Sequence, residues 1–567
     1  VIAPGLRADI GVYINPALGR RRPWWNTTIG WSGQFPPGSA ARGQRPIPDE
    51  PSRSAVGNIG RQFGFLSWYQ RVHLSDTNLA LGNVISSQNR QIKVWNGYVD
   101  RSVSITAVSM SGGEGIDLSA PAPLPLALRP LQARNWLVSV SLDGPPTVQA
   151  AITWTVTGEP SLTLTITGSR ITAWGWTPDW TNGVQERLEW LTDVLQSPTA
   201  AEQRRKLRQW PRRSWSANLL VDGDDRASLD LALYGWGQRN WALPIWTDVT
   251  WLSAATGAGS QAVALNTAGM DYRAGGLALL RGATALEVEV VEVDTVRADG
   301  IDLVRPVQTS WAPGSRIYPV RIARLSEQPQ ESRLTDQASR YDVSFDSVEA
   351  CSWPATPPTT LYRGVPVLEE VPDESEDLSR QYQRLLTLLD NGINAPAVTD
   401  LVGTGIAVQQ HRWFLAGRAA RSAWRSLAYY LAGRAGAIWV PTFADDLRLT
   451  AVVAATAATL DIKMIGYARF GAGKTGRRHI RIELFDGRTI HRRITGAVVV
   501  DAGTERLSLD LPPDIELSKA NVRRISWLQL MRLQDDAVEI DHVTDVDGLA
   551  KASAMLRSLR DDLELQA

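Results

Sequence analysis

The sequence has one cysteine in 567 residues, Cys351, so neither a disulfide framework nor a thiolate zinc cluster is open to it. It has no surplus of either charge: 59 Lys and Arg face 59 Asp and Glu. That balance argues against a dedicated nucleic-acid or membrane-surface binder, which needs concentrated positive charge. No apolar run is long enough to span a bilayer, since Ala451 to Leu460 falls far short of the roughly 20 residues required. The first residues, Val1-Ile2-Ala3-Pro4-Gly5, include no basic segment followed by an apolar one and no initiator Met. The expectation is a trimmed chain without a signal peptide, soluble and made in a cytoplasm.

Catalytic signatures are equally scarce. The five histidines (His73, His411, His479, His491, His542) include no H-x-x-x-H pair. Asp541-His542 with Asp545 and Asp547 is weighed as a cation site and read instead as an acidic turn. Gly473-Lys474-Thr475 falls short of a phosphate-binding loop because Ala468 stands where the first Gly is required, and Arg477 to Arg481 alternates as a strand. The segment is read as a hairpin tip. Glu202 to Lys206 is read as a solvated or interfacial face, and Cys351 as a buried residue or an inert surface thiol. No G-x-S-x-G, dinucleotide fingerprint or paired carboxylates stand out. The chain is expected not to be an enzyme and to carry no cofactor and no metal.

What is abundant is tryptophan: 23 residues, against 8 Phe and 12 Tyr. This suits a protein built largely of interfaces, where rigid amphipathic rings serve as anchors. Hydrophobic residues make up 44% and charged residues 21%, an ordinary globular balance, and the length suits three or four domains.

Residues 1–60, rich in Gly, Pro and Arg, read as an extended arm that either orders against a partner or folds back on its own domain. Arg20, Trp24, Trp25 and Trp31 are its interface candidates. Residues 61–170 alternate with a period of two, as in Gln91 to Trp95, Trp136 to Val140 and Leu162 to Ile166, between turns such as Asn96-Gly97 and Thr157-Gly158. About seven strands without a Cys pair predict an immunoglobulin-like β-sandwich. Beyond them, Gln185 to Leu191 and Ala201 to Arg208 show short helical spacing mixed with charge.

A long-period repeat follows. Trp241-Ala242-Leu243-Pro244-Ile245-Trp246-Thr247-Asp248 is echoed by Ile438-Trp439-Val440-Pro441-Thr442-Phe443-Ala444-Asp445. Upstream, Pro178-Asp179 precedes Pro244 by nearly the interval at which Pro372-Asp373 precedes Pro441. Downstream, Arg316 to Leu325 pairs without gaps with Arg524 to Leu533, and the second of these stands farther from its proline than the first. The second copy therefore carries an extra loop, for which the basic run Gly471 to Arg478 is the candidate, and Lys474, Arg477 and Arg478 join the interface candidates. Helices are expected at Arg226 to Tyr234 and within Phe414 to Leu431, with strands such as Ala285 to Val290 and Ile480 to Leu484 after each motif. Leu549, Ala552, Leu556, Leu559 and Leu563 are spaced as an amphipathic helix. The predicted fold is mainly β: an arm (1–60), a sandwich (61–170), two copies of a β-rich α+β unit (171–335 and 336–545) and a C-terminal helix (546–567).

The segments Glu202 to Arg208 with Pro211-Arg212, Gly237 with Trp241 to Trp246, and Gly433-Arg434 with Ile438 to Pro441 and Asp445-Asp446-Leu447 resemble those of tail-tip and baseplate structural proteins of long-tailed, siphovirus-like bacteriophages. The resemblance covers both repeat copies and leaves out the N-terminal arm. It implies a non-enzymatic, β-rich ring between the tail tube and the hub or central fibre. The implied partners are tail tube protein, tape-measure protein, and hub or central fibre proteins. The implied location is the virion tail tip, after synthesis in the bacterial host cytoplasm. Tubes of this kind are six-fold, so a duplicated chain is expected as a trimer with pseudo-six-fold symmetry, with a hexamer as the alternative; no membrane and no specific nucleic acid is expected as a partner. The competing readings are an extracellular carbohydrate-binding or adhesive module and a tail-borne cell-wall hydrolase.

Overall fold

The computed structural model describes residues 69–84, 87–141, 147–375, 377–545 and 548–564. The fold is mainly β, with four α-helices among the described residues, the last of them C-terminal. The chain divides into two compact units, residues 1–172 and 173–567. The arm read into residues 1–60, with Arg20, Trp24, Trp25 and Trp31, lies outside the described residues.

In the first unit nine strands follow one another: β1 (Val72–Leu74), β2 (Asn78–Val84), β3 (Gln88–Asn96), β4 (Val103–Ser111), β5 (Ile116–Ser119), β6 (Leu126–Leu128), β7 (Ala133–Val140), β8 (Thr147–Val156) and β9 (Leu162–Arg170). They form two sheets, ordered β1-β3-β7-β5 and β2-β9-β8-β4-β6. With β1, β3, β5 and β7 as strands A, B, D and E, and β4, β8 and β9 as C, F and G, these are the two sheets of an immunoglobulin-like sandwich. Alternation puts Ile92, Val94, Trp136, Val138, Ile152 and Trp154 in one core. Trp136 and Trp154, from opposite sheets, meet edge to face at 5.8 Å, a joint between sheets made without a disulfide. Asn96, read as a turn residue, is instead buried. Its amide donates to the carbonyls of Arg101 and Leu128, and its oxygen accepts the Tyr98 N–H.

The second unit runs one series of pairings twice. In the first set, Arg212–Asp222 leads into helix α1 (Gly223–Gly235) and the short strand Trp241–Pro244. Arg316–Leu325 pairs with that strand, with Leu277–Arg281 and with Ala338–Ser347, which returns to Arg212–Asp222. In the second set, Ile406–Leu415 leads into helix α2 (Gly417–Leu431) and Ile438–Pro441. Val522–Leu533 pairs with that strand, with His479–Leu484 and with Ala550–Ser558, which returns to Ile406–Leu415.

The registers agree as well. Pro244 lies opposite Val320 and Pro441 opposite Leu528. The Asp179 N–H donates to the Asn218 carbonyl at 2.7 Å, and the Asp373 N–H to the Arg412 carbonyl at the same distance. Each of these aspartates also caps an N–H two positions on, at Thr181 and Ser375. The extra length of the second set is split. Ladder registers match Leu279 to Arg481, and Arg481 stands farther beyond Pro441 than Leu279 does beyond Pro244. Part of the additional chain therefore precedes His479–Leu484 and the rest follows it.

Several local expectations change. Gln185 to Leu191 and Ala201 to Arg208 form strands, Val184–Glu189 and Glu202–Lys206, not helix. The period of two in the first is masked because a carboxylate, Glu186, occupies an inward position between Val184 and Leu188. The C-terminal helix is the short Asp561–Glu564. The leucine spacing before it falls on the strand Ala550–Ser558, held by neighbours on both sides, and tertiary pairing overrides local spacing. Each set thus closes beyond its sequence boundary, at Ser347 and Ser558. Gly471 to Arg478 is not a hairpin tip. It joins the short helix Tyr467–Phe470 to the strand His479–Leu484.

The tryptophans are chiefly core. Among the described residues only Trp251 is exposed, at 37%. Trp174 packs edge to face on Trp241 at 5.1 Å and on Phe345 at 4.7 Å. Pro244 and Pro441 end their strands, and the aromatics two positions on, Trp246 and Phe443, are buried. Trp246→Ala or Phe443→Ala is expected to cost roughly 3–5 kcal/mol. Urea unfolding of each variant measures this, and a loss under about 1 kcal/mol would show that the ring is not a core element.

Candidate functional site: a buried charge cluster and a basic loop

Val184–Glu189 pairs with Arg212–Asp222 of the first set on one side and with Ala537–His542 of the second on the other. It is the seam of the unit, and Glu186 stands inward on it. The Glu186 carboxylate accepts from Arg213 Nε at 2.6 Å, Arg425 Nη2 at 2.9 Å and His542 Nε2 at 2.9 Å. Arg213 also pairs with Asp271, which accepts Arg321 Nε at 3.0 Å. Asp248, from the Pro244 motif, pairs with Arg421 and accepts the Asp271 N–H at 3.0 Å. Arg421 and Arg425, one turn apart on α2, thus carry the second set into the first. Glu186, Asp248, Arg421 and Arg425 have no solvent-exposed side-chain surface.

Electrostatics hold this arrangement in its ionised form. Burial pushes the Glu186 carboxyl up, and Arg213 and Arg425 outweigh it, leaving the group well below its usual range. Burial likewise opposes Asp271, but Arg213 and Arg321 hold it at about 2. Burial lowers His542 despite its contact with Glu186. Three carboxylates and four guanidiniums leave an excess of one positive charge, toward which Glu349 stands 3.7 Å from Arg321. The cluster fastens two halves; its carboxylates are occupied by cations rather than aimed at a substrate.

The basic loop lies elsewhere, beside an open cavity of about 420 Å³ bordered by Tyr382, Lys474, Arg477 and Gln529. Arg478 is neutralised: Asp561 accepts its Nη2 at 2.7 Å, as well as Thr475 Oγ1 and the Gly476 N–H. Arg477 donates to the Tyr382 hydroxyl at 2.6 Å and stacks over Trp527. Of the three, only Lys474 is exposed. Asp541 and His542 point to opposite faces of their strand, so they form no common site. Among the described residues no group of three His, Cys, Asp or Glu side chains is placed to hold a metal. Cys351 is buried, and its carbonyl accepts the Tyr429 hydroxyl at 2.8 Å.

No family model matches the chain, and no curated protein matches it in sequence. Two of the solved structures that match illustrate the limited similarity. A Bacteroides ovatus GH5 xyloglucanase in complex with a XXXG heptasaccharide is 14% identical over 20% of this chain and 22% of its own, with a TM-score of 0.14. The E. coli chaperone DraB is 14% identical over 26% of this chain and 88% of its own, again with a TM-score of 0.14. Neither value carries an argument about fold or activity.

Sequence reasoning missed the cluster. Its visible signal was Arg421 and Arg425, spaced i and i+4 in a helix whose other faces are apolar, and Asp248 at the end of the repeated motif. Glu186→Gln leaves Arg213 and Arg425 without their carboxylate and is expected to destabilise the second unit by about 3–5 kcal/mol in chemical denaturation.

Burial lowers His411 and His491 to about 4 and His479 to about 3. With folded values below that of the unfolded chain, about 6.5, the unfolded state binds more protons between these limits. Stability is therefore complete above about pH 6.5 and falls as the pH drops toward about 4. A thermal midpoint, followed by tryptophan fluorescence, that stays constant across that fall would contradict this.

Proposed function

We propose that this protein is a structural component of a bacteriophage tail tip or baseplate, a ring member that joins the tail tube to the hub or central fibre. The observation that supports it most is the doubled β unit welded by a buried ion cluster: a rigid two-position block with its charged groups committed to fastening. The motif resemblance in both copies supplies the context, with tail tube, tape-measure and hub or fibre proteins as partners and the virion tail tip as location. A homo-oligomer belongs to the same reading, three chains giving six similar positions, with a hexamer as the alternative. No catalytic step and no cofactor is part of it.

The adhesive alternative needs exposed aromatic platforms, and the tryptophans are mostly spent in cores. Averaged negative-stain images of the purified protein, paired with a glycan array and a peptidoglycan-cleavage assay, test the proposal. Annular particles without glycan binding or cleavage are expected. A monodisperse monomer that binds a glycan, or cleavage abolished by one carboxylate substitution, would overturn it.

A further inference from the structure

The joint inside the second unit has two halves. Its first half comprises the strand Val184–Glu189, the hairpin of Thr192–Gln196 and Glu202–Lys206, and Asp248. Its second half comprises the strand Ala537–His542 and the face of α2 that bears Arg421, Arg425 and Tyr429. The hairpin is clamped: Glu202 accepts Arg532 Nε at 2.7 Å, and the Thr192 N–H donates to Asp536. Because the sets are copies, each half occurs a second time.

Ladder registers identify the second occurrences. Val184–Glu189 lies on Arg212–Asp222 as Arg380–Gln383 lies on Ile406–Leu415, which carries Glu186 to Arg380. The hairpin recurs at the same offset as Leu386–Leu389 and Ala397–Asp400. Phe345 corresponds to Leu556, which matches Ile540 to Glu331. Aligning the core-facing Leu229 and Leu233 of α1 with Trp424 and Ala428 of α2 carries Arg421 to Arg226, Arg425 to Asp230 and Tyr429 to Tyr234.

These counterparts are uncovered. Tyr429 is 5% exposed, Tyr234 92%. Arg380–Gln383 and Glu331–Arg333 are each paired on one side only among the described residues. The hairpin between Leu386 and Asp400 presents Leu386 to solvent, 51% exposed, where its internal counterpart Thr192 is 3% exposed. Unpaired edges beside exposed apolar side chains mark an association surface.

We infer that the second set of one chain docks head to tail on the first set of a second copy of this chain. Arg380–Gln383 adds to the edge strand Glu331–Arg333, and α1 faces the Pro441 motif. Charge is the independent check. The internal register sets Glu186 opposite Ile540, and its transfer sets Arg380 opposite Glu331, an attractive cross-strand pair. The Asp248–Arg421 pair becomes Asp445 with Arg226, signs unchanged. The Glu186–Arg425 pair becomes Arg380 with Asp230, both signs reversed and the attraction kept. Such a contact joins unlike faces, so it repeats from chain to chain, the geometry from which cyclic rings are built when the rotation closes. The inference rests on the duplication and not on the tail reading.

Arg380 and Asp230 are exposed, whereas Glu331 also accepts Ser339 Oγ at 2.6 Å, so far-ultraviolet circular dichroism matching that of the parent protein is the check that each variant keeps the fold. One preparation carrying R380C and another carrying E331C, mixed under oxidising conditions, should yield a disulfide-linked dimer that neither forms alone. In sedimentation of the full chain, R380E should weaken association at least about tenfold. Adding D230R and E331R to R380E should restore it. Absence of the mixed dimer, association indifferent to R380E, or a monomer at every concentration would overturn the inference. A ring built through other faces would overturn it while leaving the tail-tip reading intact. Glycan binding by a ring linked through Arg380 and Glu331 would do the reverse.

Discussion

Everything in the second unit depends on keeping the Glu186 carboxylate charged without water. Removing an ion from solvent costs several kcal/mol even after relaxation, and only close, well-directed cations offset it. Three cationic or donor groups converge on this carboxylate from three elements: Arg213 beside it in the sheet, Arg425 from α2 and His542 from the other flanking strand. None can shift without stranding the others. The geometry of the seam between the two sets is therefore set by electrostatics, while the apolar cores on either side supply most of the driving force.

The two sets also show how one framework takes unequal chemistry. Asp248 is buried against Arg421, whereas Asp445, at the matching position, is half-exposed and pairs with Arg448, three residues on. The loop that contributes Asp271 to the cluster has its counterpart in Gly471 to Arg478, where Asp561 from the chain's end supplies the carboxylate. The two sets share the ladder and the caps at Asp179 and Asp373, and differ in their charge pairs.

The sandwich strands and the helix before the second aromatic–proline motif were legible because their faces are segregated, as where Ile92 and Val94 alternate with polar neighbours, and the helix before the first because Leu229 and Leu233 recur at helical spacing. The repeat was legible because prolines, aspartates and a gapless strand survive in order. The seam was not. A strand whose inward residues read Val, Glu, Leu has no clean period, and its justification lies 356 residues away at His542. Lys474, Arg477 and Arg478 stood out as a basic run, yet two of the three are satisfied by Tyr382 and Asp561, partners that spacing cannot reveal. The tryptophan surplus was visible but its destination was not. It fills cores such as Trp174 with Trp241 and Phe345.

The separation between Glu186 and His542 has a further consequence, in time. A ribosome adding about 5–20 residues per second takes roughly 20–70 s to traverse those 356 residues. Throughout that interval Val184–Glu189 has one neighbour and an open edge, and Glu186 has Arg213 but not His542, with Arg425 arriving only part-way through. The first set must wait half-closed, its carboxylate hydrated, until almost the last strand emerges. The same long-range pairing that makes the finished block rigid makes the nascent one a prolonged template for edge-to-edge association, most acutely where many chains are translated side by side.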